Sequence, residues 1–155
     1  MSQDTANILV FPPSVSVAAP AFAGLMEWLL PYGILPAPGG SMLVAGVLLM
    51  LLAGGLAVSG TRAFKRAKTN IDPRQPALVL VNDGPYRFTR NPMYLGMITL
   101  NLGLTLAASL DWGLLTTPLL ALTLHFGVVL REEAYLKTKF GEPYAMLLKR
   151  TRRWL

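Results

Sequence analysis

The chain has 155 residues, is 53% hydrophobic and only 14% charged, and has a mean hydropathy of +0.47. A soluble domain this small exposes most of its residues and carries more charge, which argues against an ordinary soluble enzyme of two or more domains, and length leaves one domain, 1–155. With no cysteine and one histidine, disulfides, thiol nucleophiles and thiolate or multi-histidine metal sites are excluded, and no metal is expected.

The net charge of +6 is unevenly placed. Seven of the fourteen Lys and Arg lie in 61–92 and the other seven in 131–155. The stretches between them read as membrane spans, each close to the roughly 20 residues a crossing needs. Residues 1–10 lack the positive start of a signal peptide, so no cleavage is expected. LVFPP at 9–13 approaches the membrane along its interface. A first span is expected at 14–32, weakened by Pro20 and by Glu27, which either snorkels outward or faces the bundle. PYGILPAPGG at 31–40 is a turn-rich loop.

A second span at 41–61 carries Gly46, Gly54, Gly55 and Gly60, small residues that let helices approach closely. Residues 61–72 are expected to continue as a short amphipathic helix whose basic side chains meet anionic head groups, a better use than nucleic acid. In 73–92, Pro73 and Pro76 break the helix and Asp83-Gly84-Pro85 signals a turn. Asn91 is placed to cap the next helix, with Pro92 in its first turn. The third span is 92–109, with Asn101 near its middle as interhelical glue or a ligand contact.

The fourth span, 112–131, contains Pro118 and His125 and emerges near Arg131, its helix running on to 137. His125, Glu132 and Glu133, at offsets of seven and eight, share a face broadly on an α-helix. Gly141 and Pro143 end that helix, and 143–155 (PYAMLLKRTRRWL) forms a C-terminal amphipathic helix at the surface. The fold class is therefore all-α: a polytopic membrane protein of four transmembrane helices with interfacial segments on one side. Four crossings bring both termini and every basic residue to the same face. The positive-inside rule makes that face cytoplasmic, at the inner (plasma) membrane if the cell is bacterial.

Two polar patches remain once surface anchoring is subtracted: GPYRFTRNPMYLG at 84–96 and REEAYLKTKFGEPY at 131–144. Adjacent Glu132 and Glu133 are costly beside hydrocarbon unless paired, and Arg87, Arg90 and Arg131 are candidate partners. Carboxylates, guanidiniums and Tyr86, Tyr94 and Tyr144 together suit a ligand bearing both charges and a base or sulfonium. Composition does not identify that ligand.

The two patches resemble the signatures of the isoprenylcysteine carboxyl methyltransferase family, to which the membrane phospholipid methyltransferases are related. The first signature, G-P-Y-R-x-x-R-[HN]-P-x-Y-x-G, spans Gly84 to Gly96. The second, R-x-E-x-x-L-x-x-x-F-G-x-x-Y, spans Arg131 to Tyr144. The likeness covers about 60–155, and helices 1 and 2 only by topology. It implies methyl transfer from S-adenosylmethionine, with S-adenosylhomocysteine as product, in a pocket built from 84–96 and 131–155. By matching position, Tyr86, Arg90, Asn91, Pro92, Tyr94, Leu95, Gly96, Glu132, Glu133 and Tyr144 bind the cofactor, and Arg131 and Glu132 are the catalytic pair. The resemblance further implies a lipophilic acceptor, prenylated or lipid: an isoprenylcysteine carboxylate first, a phosphatidylethanolamine-type amine as the alternative. A membrane scaffold without activity is the third reading. Asn91 stands where relatives often carry His, which leaves neutral hydrogen bonding but no imidazole. Leu147 stands where many carry Tyr. Oligomeric state is left open.

Overall fold

A computed structural model describes residues 4–155. Its elements are helices: α1 (Pro12–Leu29), α2 (Gly40–Arg66), a short 3-10 turn (Gly84–Arg87), α3 (Pro92–Ala108), α4 (Gly113–Leu124), a π-turn (His125–Val129), α5 (Leu130–Phe140) and α6 (Glu142–Arg150). α4, the π-turn and α5 form one continuous helix, Gly113–Phe140.

Two helices are long and apolar enough to cross a membrane: α2 and Gly113–Phe140. At 1.5 Å per residue the 27 residues of α2 cover about 40 Å, some 10 Å more than a hydrocarbon core. A crossing by α2 would therefore leave its basic end beyond the lipid. α3 is apolar but has 17 residues, and α1 is diluted by three prolines and Glu27. The four expected spans thus correspond to four helices, of which two meet the length and hydropathy of a crossing.

Other boundaries differ from expectation. The separate amphipathic helix expected at 61–72 is instead the last turns of α2, which ends at Arg66, and 67–83 is irregular. The C-terminal helix stops at Arg150 rather than running to 155. Beyond it the backbone is extended, and Thr89 pairs with Arg152 in an isolated parallel bridge. Pro118 lies inside α4, but the larger irregularity is the π-turn seven residues later.

α2 and α3 pack closely because glycine removes the side chains between them. A methyl on Gly46 would come within 2.6 Å of the Gly103 carbonyl, and one on Gly103 within 2.9 Å of the Gly46 carbonyl. On the other side of α3, a core of Tyr94, Leu120, Leu124, Val128 and Val129 joins it to the last long helix. Within that contact Asn101 Nδ2 donates to Thr117 Oγ1 at 2.8 Å, so the carboxamide acts as interhelical glue.

The two ends of the bundle are tied differently. At one end Asp111 accepts the backbone N–H groups of Ile34 (2.9 Å) and Leu35 (2.7 Å), and the Trp112 indole N–H donates to the Leu30 carbonyl. Those backbone donors hold the Asp111 carboxyl below the usual carboxylate range. At the other end lie the first described residues, from Asp4, and the C-terminus. Asp4 pairs with Lys139, and Arg153 with Glu133. The basic segments and both polar patches gather at this end.

Candidate functional site

A cavity of about 120 Å³ lies at the end of the bundle that bears the C-terminus; its wall sets the polar side chains of Arg90, Asn91, Glu132, Glu133 and Tyr144 among apolar ones, and it is called the polar cavity below. Three stretches wall it: the 3-10 turn and start of α3, the first turns of α5 with α6, and the irregular loop 70–81. The 3-10 turn forms because Asp83 caps it, accepting from the Gly84 N–H at 2.7 Å, while Gly84 (φ +58) takes a left-handed conformation. That turn buries Tyr86 against Phe64 of α2, with ring centroids 5.4 Å apart. Burial pushes the Tyr86 hydroxyl well up, so it stays a neutral phenol. Tyr144 enters from α6, and burial pushes its hydroxyl up to about 12.

Glu133 is the electrostatic hub. Its Oε1 accepts from Arg90 Nη2 at 2.8 Å and Arg153 Nε at 2.9 Å, and its Oε2 from Arg153 Nη2 at 2.8 Å. The side chains of Glu133 and Arg90 are 16% and 11% exposed, so the pair is largely out of water. Arg90 also donates from Nη1 to the Thr151 carbonyl, and its backbone N–H donates to the Arg152 carbonyl at 2.9 Å. Asn91 Nδ2 donates to the Arg153 carbonyl at 2.9 Å. Asn91 therefore sits at the N-cap of α3 without capping it through its side chain. Its carboxamide, like Arg90, fastens the C-terminal tail over the cavity.

Glu132 differs from its neighbour. Its Oε1 accepts from the Tyr94 hydroxyl at 2.9 Å, and no cation pairs with it among the described residues. A carboxylate facing a cavity with a single neutral donor is a proton acceptor or a cation site. The Arg90 Nε–H is buried without an acceptor, a donor ready for an anionic group. The cavity thus offers one free carboxylate, and Arg90 in its wall keeps a buried N–H without a partner.

A second, larger cavity of about 520 Å³ adjoins the first, and Ile71, Asp72, Pro73, Met93 and Tyr94 line both. It runs between the start of α1, α2 and α3, past Met50, Ala53, Met97 and Leu100. Its lining is mostly apolar. Asp72, at the junction, is taken by Arg74, which donates to it from Nη2 at 2.6 Å and covers the Phe11 ring.

Of the residues expected at the site, Tyr86, Arg90, Asn91, Tyr94, Glu132, Glu133 and Tyr144 line the polar cavity. Gly96 lines only the apolar one, while Pro92 and Leu95 line neither. Arg131 turns away: its Nη1 donates to the Asn7 carbonyl at 3.1 Å in an exposed position. It therefore stands outside the cavity for which it was expected to order acceptor and donor. Arg87 is exposed and faces Asp83. His125, expected to be either a packed, hydrogen-bonded helix residue or a base, lies outside both cavities and accepts from the Trp154 indole at 3.4 Å. Sequence reasoning passed over Ala6, Asn70, Gln75, Tyr135 and Leu136, all in the wall. Tyr135 and Leu136 stand inside the second patch, on α5; Ala6, Asn70 and Gln75 come from irregular chain without periodicity.

No curated protein and no solved structure matches the chain. A family model described as phospholipid methyltransferase matches residues 41–143. That span runs from the start of α2 to the start of α6 and includes every residue lining the polar cavity except Ala6, Tyr144 and Leu147. The chain belongs to the phospholipid methyltransferase family and is an enzyme of the membrane methyltransferase class.

Proposed function

We propose that the protein transfers a methyl group from S-adenosylmethionine to the amine of a membrane lipid of the phosphatidylethanolamine type, at the cytoplasmic face. The observation that carries this reading is the pairing of cavities at Tyr94. A polar chamber holding a free carboxylate opens beside an apolar one large enough for a hydrocarbon chain. A cationic, two-natured donor fits the residues present. The Arg90 Nε–H is available to its carboxylate, and the Tyr86 and Tyr144 rings offer surface to its base or sulfonium. Ligand pockets are usually about 300–1,000 Å³, so this reading requires the 120 Å³ chamber to widen, by the tail and the loop 70–81 parting.

Bound there, the donor supplies an electrophilic methyl on a sulfonium and a neutral thioether leaving group. The chain's own part is alignment, exclusion of water and one proton transfer. An ammonium cannot attack until it loses a proton. Glu132 is placed to take that proton, and the Tyr94 hydroxyl fixes the carboxylate. The freed nitrogen lone pair then bonds the methyl carbon as the carbon–sulfur bond breaks.

The charges around the junction favour an amine. Glu132 is unpaired, Arg74 is spent on Asp72, and Arg90 is largely spent on Glu133 and Thr151. An incoming isoprenylcysteine carboxylate would meet like charge. That O-methylation reading is supported by the two signatures at 84–96 and 131–144.

Purified full-length protein in lipid nanodiscs, given methyl-labelled donor, decides between them. Phosphatidylethanolamine and farnesylcysteine are offered separately and products are read by mass. Labelled N-methyl lipid is expected. A base-labile methyl ester on farnesylcysteine alone would establish the second reading, and no transfer to either would remove both.

A further inference from the structure

The last long helix changes pitch at one place, immediately before the site. In a plain α-helix each residue turns about 100°, so Glu132, twelve residues after Leu120, would stand about 120° from it. The π-turn His125–Val129 accommodates one residue without advancing the helix face, which leaves about 20°. The same subtraction brings Glu132 within about 20° of Leu124. Leu120, Leu124 and Val128 therefore make a stripe against Tyr94, and Glu132 continues it to reach the Tyr94 hydroxyl. Without the π-turn this stripe would carry a different residue to Tyr94.

A π-turn leaves backbone groups out of register, and here another part of the chain takes one. The Leu9 N–H donates to the Gly127 carbonyl at 2.9 Å. Gly127 lets the strand come that close: a methyl there would stand 3.2 Å from Val10 Cγ2. On either side, Arg131 donates to the Asn7 carbonyl, and Tyr135 and Lys139 hold Asp4. Ala6 is buried and lines the polar cavity. The segment 4–10 is thus laid along the π-turn and α5 by bonds at both ends and the middle.

We propose that this N-terminal strap is a positioning element for the methyl-transfer site, with Leu9 and Gly127 as its positioning residues: the Leu9 N–H on the Gly127 carbonyl holds the π-turn, and the π-turn points Glu132 at Tyr94. The inference deepens the function proposed above and rests on it for the kinetic readout only.

The test exploits the absence of cysteine. Nitroxide labels at Arg62→Cys on α2 and Lys137→Cys on α5, both exposed, report the rotation of α5 by electron–electron distance. Deleting exposed Phe126 restores a plain α-helix and supplies the distance of the rotated state; a 100° turn displaces the label by up to about 9 Å. Leu9→Pro, which removes the N–H, is expected to add a component at the deletion's distance. It should lower kcat on labelled phosphatidylethanolamine fivefold or more, with the KM for the methyl donor within threefold. Leu9→Ala, which keeps the N–H, is expected to rescue both readouts. If Leu9→Pro does not fold, Gly127→Ala takes its place, with a shift in the same direction. A parent-like distance in the folded variant overturns the proposal, and so does a loss in Leu9→Ala equal to that in Leu9→Pro. If the parent transfers no methyl group, the function proposed above fails while the distances still decide the role of the strap.

Discussion

Replacing Glu133 by Gln should release the C-terminal tail while leaving the helix bundle intact. Glu133 is the one acidic group between Arg90 and Arg153, and it accepts three charge-assisted bonds of 2.8–2.9 Å. Gln keeps the volume and one acceptor but leaves two guanidiniums facing a neutral group. Breaking a buried ion pair from one side costs about 3–5 kcal/mol. The Arg153 side chain is 38% exposed, and water screens its share, so about 2–4 kcal/mol is the reasonable range. The Arg90 amide reports the loss directly, because it donates to the Arg152 carbonyl and exchanges only when the tail lifts. At tenfold per 1.4 kcal/mol, its protection against hydrogen exchange should fall by about 30- to 700-fold. Amides in the middle of α2 should be unchanged, which separates tail release from global unfolding. A fall of less than about threefold at Arg90 would mean that Glu133 does not hold the tail.

Three further outcomes follow from particular contacts. Gly46→Ala should destabilise the protein by about 1–3 kcal/mol through overpacking against Gly103 and Ala107, whereas Gly54→Ala, whose methyl meets nothing within 4 Å, should stabilise it by about 0.5–1 kcal/mol; unfolding in mixed micelles would show the opposite signs. Asp111 has its carboxyl depressed by the Leu35 and Ile34 N–H groups, so the stability it gives is present above the ordinary value of 3.8 and lost as pH falls through its lower folded value. Exchange at the Ile34 and Leu35 amides should accordingly accelerate below that point, and at neutral pH in Asp111→Ala; acid-insensitive protection would refute the assignment. Tyr94→Phe removes the one hydrogen bond to Glu132 and should lower methyl transfer about 10-fold or more, an effect that unchanged kcat in the same nanodisc assay would dismiss.

How far the sequence could be read depended on whether the signal was periodic. The clustering of Lys and Arg in two segments placed both patches at one end of a helical bundle, because charge cannot be spread through hydrocarbon. Seven of the ten residues expected to bind the cofactor line one cavity. α3 was bounded to within a residue, since Asn91-Pro92 and the αL conformation of Ser109 mark its ends by local chemistry. The loop 70–81 was illegible: its contribution to the wall depends on tertiary contacts such as the Ala77 N–H donating to the Tyr135 hydroxyl.

Arg131 and His125 stand apart from the cavity for different reasons. Arg131 is expected at the site only by the resemblance of the second signature, and it donates instead to the Asn7 carbonyl; the shared face of His125 and Glu132 is projected along a helix of constant pitch, in which offsets of seven keep to one face. The π-turn shifts every later residue by one step, so Glu132 moves onto the Leu120–Leu124–Val128 stripe and His125 is left facing Trp154. Nothing in HFGVV announces such a turn except the glycine, which on a plain helix would simply weaken it. The apolar pattern does contain the information, however. Leu120, Leu124 and Val128 repeat every four residues, and an α-helix held to that spacing drifts about 40° per step. A stripe that stays buried despite that drift requires the helix to lose about one residue of rotation, and the turn supplies it just where the site begins.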